Sequence, residues 1–310
     1  MANIQPPDWA TKLHIRHHSN PHGVPWDQKV FDYCVKRPQL EKAWNTVKLF
    51  DDEEKKLEAF KIINLYTEKS AAMAAGICVQ ELADAIILHD DQEKYKEAKD
   101  KFISYRPVEY DLSDTLKHDH YQTIIDDVAS NAIDGLREAG QALRLNKWEG
   151  EKEYLVDLPG CALQYNGRVD YASGNIELKT VWPSINKRAV DPKNNFTKKS
   201  LPARPSQAWL GQVAGYSFAN KKPPTIVVAN QSGYKIFNSE NCSELSDQYM
   251  DQVMNTTIIK CKTRERLMRA ANGSVEDFFG MIEPDFSDWR WKTKNPELVE
   301  IAKRVWGLHE

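Results

Sequence analysis

The stretch Gly167-Arg168-Val169-Asp170-Tyr171-Ala172-Ser173-Gly174-Asn175-Ile176-Glu177-Leu178-Lys179-Thr180 reads as two short strands around a Ser-Gly-Asn turn. The first strand carries one acid, Asp170, and the second an acid-x-base triplet, Glu177-Leu178-Lys179. Side chains alternate along a strand, so Glu177 and Lys179 share one face and Leu178 takes the other. Two carboxylates and a backbone carbonyl such as that of Leu178 make a hard oxygen cage suited to Mg2+ or Mn2+. A metal held there acidifies its bound water and neutralises phosphate charge, while the lysine orients the nucleophile or stabilises developing negative charge. The expected chemistry is phosphodiester hydrolysis.

The triplet alone is weak, because acid-x-Lys recurs at Asp27-Gln28-Lys29, Glu53-Glu54-Lys55, Glu54-Lys55-Lys56, Glu97-Ala98-Lys99 and Asp191-Pro192-Lys193. Context separates them. The first four lie in charged, helix-favouring segments and the last contains a proline in a polar loop, where a salt-bridged surface pair is the plainer reading.

Length and composition bound the rest. A chain of 310 residues suits one large domain, or one domain with a helical addition. Hydrophobic content of 41%, charged content of 28% and the absence of a long apolar run point to a globular protein that does not span a membrane. No secretory leader is visible in the first residues, so the expected setting is the cytoplasm, or the host cytoplasm for a phage-encoded chain. Cysteines at 34, 78, 161, 242 and 261 are odd in number and widely spaced, which argues against a disulfide framework or a zinc or iron-sulfur site. The net charge of -3 gives no overall basic signature, so any grip on nucleic acid must be local. Residues 187–204 supply one: Lys187, Arg188, Lys193, Lys198, Lys199 and Arg204 stand against the single acid Asp191. This reads as a mobile basic loop after the proposed catalytic strand, placed to hold a phosphate backbone.

The chain opens with a His-rich, Pro-punctuated stretch containing His14, His17, His18 and His22. No carboxylate or cysteine lies at ligand spacing, which favours an irregular arm over a metal site. Helical periodicity predicts three helices over residues 26–88, with Gly76 inside the Ala-rich last one to permit close backbone packing. Another long helix is predicted over 119–146. Short strands follow at 152–158, 161–165, 167–171 and 175–181, then a helix at 205–220, strands at 225–229 and 234–238, and helices at 244–271, 275–281 and 296–306. The expected fold class is α/β, a central mixed β-sheet flanked by helices, with boundaries at 1–69 for an N-terminal arm and helical region, 70–240 for the core and 241–310 for a C-terminal helical extension.

Gly-Arg-Val-Asp, then Ile-Glu-Leu-Lys-Thr, then a helix carrying Gln212-Val213-Ala214-Gly215-Tyr216 resembles, in that order, the PD-(D/E)XK nuclease superfamily. The closer resemblance is to its RecB-type and phage-encoded exonuclease branch, whose usual third motif is Gln-x-x-x-Tyr. The i, i+4 spacing puts Gln212 and Tyr216 on one helical face. The resemblance covers roughly residues 70–240. It implies a restriction-endonuclease-like core, Asp170 and Glu177 as metal ligands, Lys179 as the catalytic lysine, and Gln212 and Tyr216 as residues that orient phosphate, metal waters or the lysine. That branch carries Gly-x-x-x-His on the preceding helix, with a metal-binding His; here Gly76-Ile77-Cys78-Val79-Gln80 puts Gln80 in its place, with Glu81 the adjacent alternative. Glu153, on the strand before the hairpin, matches an acid often seen there. The cysteines do not fit the iron-sulfur cluster of some relatives, and no nucleotide-binding loop of helicases is present.

The function this implies is a Mg2+- or Mn2+-dependent DNA exonuclease working in replication or recombination. Arg168 and the basic loop would contact DNA, and Trp182 or Trp209 would stack on an unpaired base. A single-strand annealing or single-strand-binding protein is the further partner this setting suggests, and oligomers are known among relatives. An endonuclease of the same fold is the nearest alternative. A non-catalytic nucleic-acid-binding module is the other, against which Asp170, Glu177 and Lys179 all stand intact.

Overall fold

The computed structural model describes residues 7–13, 15–18, 26–106, 112–186, 195–271, 274–292 and 294–308, and is mixed α/β. In chain order the first half is almost wholly helical: α1 (Asp8–Lys12), β1 (His17–His18), α2 (Trp26–Phe31), a π-helical turn at Asp32–Lys36, α3 (Arg37–Leu49), α4 (Glu53–Thr67), α5 (Ala71–Ile87), α6 (Gln92–Ser104) and α7 (Leu112–Ala142). Then come β2 (Lys152–Val156), β3 (Tyr165–Val169), β4 (Ile176–Thr180), β5 (Ser184–Ile185), β6 (Phe196–Thr197), α8 (Gln207–Asn220), β7 (Thr225–Asn230) and β8 (Gly233–Phe237). The chain closes with α9 (Asp247–Ala270), α10 (Val275–Gly280), α11 (Trp289–Lys292) and α12 (Pro296–Val305). Among the described residues, no single helix is long and apolar enough to cross a membrane.

The chain divides into two compact units. One gathers Met1–Glu68, Val156–Asn166 and Thr256–Glu310, and the other Lys69–Leu155 and Gly167–Asn255.

In the second unit α5 and α7 form one layer of the core and the sheet β4-β7-β8 the other. Ser70 caps α5 by accepting the Met73 N–H at 3.2 Å. Buried Ala71, Ala75, Cys78, Val79 and Leu82 recur at helical spacing down one side of α5. Tyr121, Ile125, Val128, Ala132, Leu136 and Ala139 do the same on α7. β7 is parallel to β4, Glu177 opposite Ile226 and Lys179 opposite Val228, and antiparallel to β8. All six β7 residues are buried, as expected of a strand covered on both faces. A parallel pair needs a crossover, which α8 supplies. Gly135 lets α7 close on β7, since a Cβ there would come within 2.8 Å of a Val227 methyl.

In the other unit β1 runs parallel to the start of β3, His17 opposite Tyr165 and His18 opposite Asn166. Trp9, Val30, Tyr33, Leu163, Met268, Phe278 and Phe279 make one apolar cluster, and Phe31, Tyr66, Trp291, Leu298 and Ala302 a second. Trp291 donates its indole N–H to Asp27 at 2.7 Å, and Trp306 donates to the Ile282 carbonyl at 2.9 Å, so both act in packing. Glu265, buried on α9, accepts from His17, Ala162 and Leu163. Burial works against its charge, but those donors outweigh it and hold its carboxyl below the ordinary range.

Several expectations need correcting. Residues 161–164 are irregular instead of a strand, because the Ala162 and Leu163 amides donate to the Glu265 carboxylate and not to a neighbouring strand. The central sheet is divided: β2 and β3 are neighbours in one sheet and β4, β7 and β8 form another. The anticipated hairpin shrinks to a single Tyr171–Ile176 bridge, since the Asp170 carboxylate takes the Leu178 N–H at 2.8 Å where a strand carbonyl would otherwise stand. α6 was not expected at all. α7 begins seven residues before the predicted start at 119.

Candidate active site

The site is built on β4, α5 and α8, all within one unit. Thr225 N–H bonds the Asn175 carbonyl and Val181 N–H bonds that of Ala229, so the odd residues of β4 turn their peptide groups towards β7. The even ones turn theirs to the open edge, as the Ile176–Tyr171 bridge and the Leu178–Asp170 bond show. The Leu178 carbonyl therefore lies on the same edge as the Asp170 carboxylate. Asn175 makes the turn possible by adopting a left-handed φ of 51°. Its amide is fixed by the Lys222 carbonyl and by Asn220.

Side chains follow the predicted alternation. Glu177 is 1% exposed, and its Oε1 accepts from Lys179 Nζ and from Gln212 Nε2 at 2.7 Å. Gln212 returns its Oε1 to Lys179 Nζ at 2.9 Å and donates through Nε2 to the Tyr216 hydroxyl. This one amide thus ties the triplet to α8, with its oxygen facing the ammonium and its nitrogen the carboxylate. Ser206 caps α8 by accepting the Trp209 N–H at 3.3 Å, which fixes where the helix begins and hence which face Gln212 presents. Burial, and then the charge of Glu177, push the Tyr216 phenol far up, so it stays neutral. Its ring meets Tyr154 of β2 edge-on at 5.6 Å.

From α5, Gln80 Nε2 reaches Asp170 Oδ1 at 3.5 Å. Asp170 has its pKa raised well above the ordinary carboxylate range, first by burial and next by the negative charge of Glu177; Lys179 and the Leu178 N–H offset only part of this. Asp84 stands one helical turn beyond Gln80, and its pKa is raised too, chiefly by burial. It was not picked out from the sequence. The signal was there in the spacing of four that links Gly76, Gln80 and Asp84 along one face of an Ala-rich helix.

Glu177 Oε2 is buried without a hydrogen-bond partner. An orphaned carboxylate oxygen is costly to bury, and a divalent ion bound by Asp170 and Glu177 would relieve both the orphan and the repulsion between the two acids. The donor set, carboxylate and carbonyl oxygens, is that of Mg2+ or Mn2+.

Other anticipated residues fall elsewhere. Glu81 pairs instead with Lys101 of α6 at 2.6 Å. Glu153 is exposed, on the face of β2 opposite Tyr154. Trp182 is 7% exposed, packs against Tyr121 at 4.8 Å and bonds Thr180 Oγ1, so it is core and offers no face to a base. Arg168 is exposed and paired with Glu151 at 3.1 Å, as Arg204 is with Glu244. Lys198 and Lys199 are exposed. Lys187, Arg188 and Lys193 lie outside the described residues. The flanks of the basic segment are ordered into a two-stranded ribbon, Ser184 opposite Thr197 and Ile185 opposite Phe196, whose Phe196 stacks on His120 at 3.9 Å.

No family model and no curated protein matches the chain. Among solved structures, the one described as "Crystal structure of SSO0001" is 12% identical and aligns over 81% of this chain and 96% of its own, with a TM-score of 0.24. A likeness of that size carries no argument about fold or chemistry.

Proposed function

We propose that the chain is a metal-dependent nuclease with a PD-(D/E)XK-type core, acting on DNA as an exonuclease. The observation that carries this is the convergence of Lys179 and Gln212 on Oε1 of the buried Glu177, whose charge also raises the pKa of Asp170, while its other oxygen, Oε2, has no hydrogen-bond partner. Asp170, Glu177 and the Leu178 carbonyl would hold Mg2+ or Mn2+, which supplies charge neutralisation at a phosphate and a more acidic water.

The protein's own groups do the rest. Lys179 Nζ, gripped by Glu177 and Gln212, is a fixed ammonium beside the ligands, able to donate to a phosphate oxygen as negative charge grows there. Gln212 keeps the lysine and Glu177 in register, and Tyr216 anchors that amide as a neutral phenol. Gln80 steadies Asp170. Exposed Arg168, Lys198, Lys199 and Arg204, with Lys187, Arg188 and Lys193, are the cations for the strand's backbone.

Linear duplexes and single strands labelled separately at each end, with a covalently closed circle alongside, test the proposal in Mg2+ and in chelator. Release of short products from linear DNA in Mg2+ alone, with the circle intact, is the expected result. Cutting of the circle would make it an endonuclease, and no metal-dependent cleavage of any substrate would remove the nuclease reading.

A further inference from the structure

A second cluster of ligating side chains lies in the unit made of Met1–Glu68, Val156–Asn166 and Thr256–Glu310. His17, Cys161 and Glu265 each bring a nitrogen, sulfur or oxygen donor, and these donors all lie within 4.8 Å of one another. His17 and Glu265 are each 2% exposed and bonded Nε2 to Oε1 at 2.9 Å, while Cys161 is half-buried. We propose that these three residues form a site for a divalent ion of the zinc class.

Three features carry it. The donor set is mixed nitrogen, sulfur and oxygen, which suits borderline-soft Zn2+ and not the Mg2+ of the oxygen cage described above. Each ligand comes from a different one of the unit's three chain segments, so an ion here would cross-link all of them at one point. Charge is matched at the ligands themselves: a divalent ion is balanced by one thiolate and one carboxylate beside a neutral imidazole, with the Arg269 guanidinium 3.5 Å from the outer Glu265 oxygen. Binding breaks the S–H bond of Cys161 and forms an S–metal bond, with the proton passing to solvent, and the ion replaces the hydrogen bond between His17 Nε2 and Glu265 Oε1, the neutral imidazole keeping its one proton on Nδ1. Three protein donors leave the fourth tetrahedral position to water. Local spacing in the His-rich arm could not show these donors, because they are distant in sequence; His17 and Glu265 are 248 residues apart.

The test uses the full chain carrying Asp170→Asn and Glu177→Gln, which removes the other cation site. After zinc loading and dialysis, elemental analysis should find one zinc per chain, and cobalt in its place should give a thiolate-to-cobalt absorption band in the near ultraviolet. Cys161→Ser and His17→Gln should each lose the stoichiometric zinc, and Cys161→Ser the band, while Cys242→Ser keeps both. Cys161→Ala serves as a second variant should the serine fail to fold, with the zinc-free melting temperature as the check. Zinc should raise the melting temperature of the parent and not of the Cys161 variants. A parent without stoichiometric zinc, or a Cys161 variant that retains it, overturns the proposal and leaves the His17–Glu265 pair as a hydrogen-bonded staple only.

Discussion

Gln212 engages Lys179, Glu177 and Tyr216 through a single amide, so the site depends on charges held in balance as much as on their identity. Lys179→Ala should leave Mn2+ affinity close to that of the parent and lower turnover by about 10²-fold or more, the scale of losing one preorganised electrostatic group. Glu177→Gln should lose the metal itself. Calorimetric titration with Mn2+ beside a single-turnover assay separates the two, and a Lys179→Ala enzyme of parental rate would remove the lysine from the chemistry. Asp170 leads to a prediction of the opposite sign for stability. Its folded pKa is raised, so the folded state binds its proton more tightly than the unfolded chain does. Stability from this group is therefore greatest below the unfolded value of about 3.9 and falls as pH rises through the folded one. In chelator at neutral pH, Asp170→Asn should melt higher than the parent while being inactive, with the gap narrowing towards acid pH. A lower melting temperature for the variant at neutral pH would show that the acid is not under that strain. The residues legible from sequence were those fixed by short-range periodicity: Glu177 with Lys179, and Gln212 with Tyr216. Asp84 and Trp182 were not, because what decides their roles is burial against distant elements, and a tryptophan beside a basic loop reads alike whether it faces solvent or Tyr121.

At the level of elements, the approach of α5 to β4 sets where Gln80 and Asp84 stand. A Cβ at Gly76 would lie 3.3 Å from Thr180 Oγ1, tight enough that the neighbour must give by a few tenths of an ångström. Gly76→Ala gains about 1 kcal/mol of helix propensity against that crowding and should come out near neutral. Gly76→Leu has no room, and should cost about 1 to 3 kcal/mol while lifting Gln80 away from Asp170. Denaturant melts and an activity assay check both, and a leucine variant of parental stability and rate would mean that the contact sets nothing. The sequence foresaw this close packing because an isolated glycine in an alanine-rich helix has few other causes. It misread residues 161–164 for the converse reason. Cys161, Leu163 and Tyr165 alternate with Ala162 and Gln164 as a strand would, but the amide partners are on Glu265, about a hundred residues away. α6 escaped notice since only Ala98 and Phe102 on it are buried, too few to give a periodic signal among its charges.

For the molecule as a whole, the α/β class was readable from the change of period near residue 150, whereas the division into units was not, since it follows contacts between remote segments. Lys29 illustrates what such contacts impose. Burial, and then the charge of Arg264, depress its ammonium to about 7 from the usual 10.5. The folded state therefore holds fewer protons than the unfolded chain between those values, and stability rises with pH across that window. Lys29→Met should melt higher than the parent at pH 7, and the advantage should fade as pH approaches about 10.5, where the amine is neutral in both states. A difference independent of pH would show that Lys29 is charged in neither or both.

The unit that contains Lys29 is assembled from the start, a short middle piece and the last stretch of the chain. During synthesis its opening residues leave the ribosome long before Glu265 exists to receive His17, whereas every part of the other unit has been made by residue 255. The helices before residue 69 thus wait for later residues during synthesis, with Trp9, Val30 and Tyr33 awaiting Met268 and Phe278. A stop codon between residues 255 and 265 would spare the unit that holds Lys179 and leave His17 without Glu265.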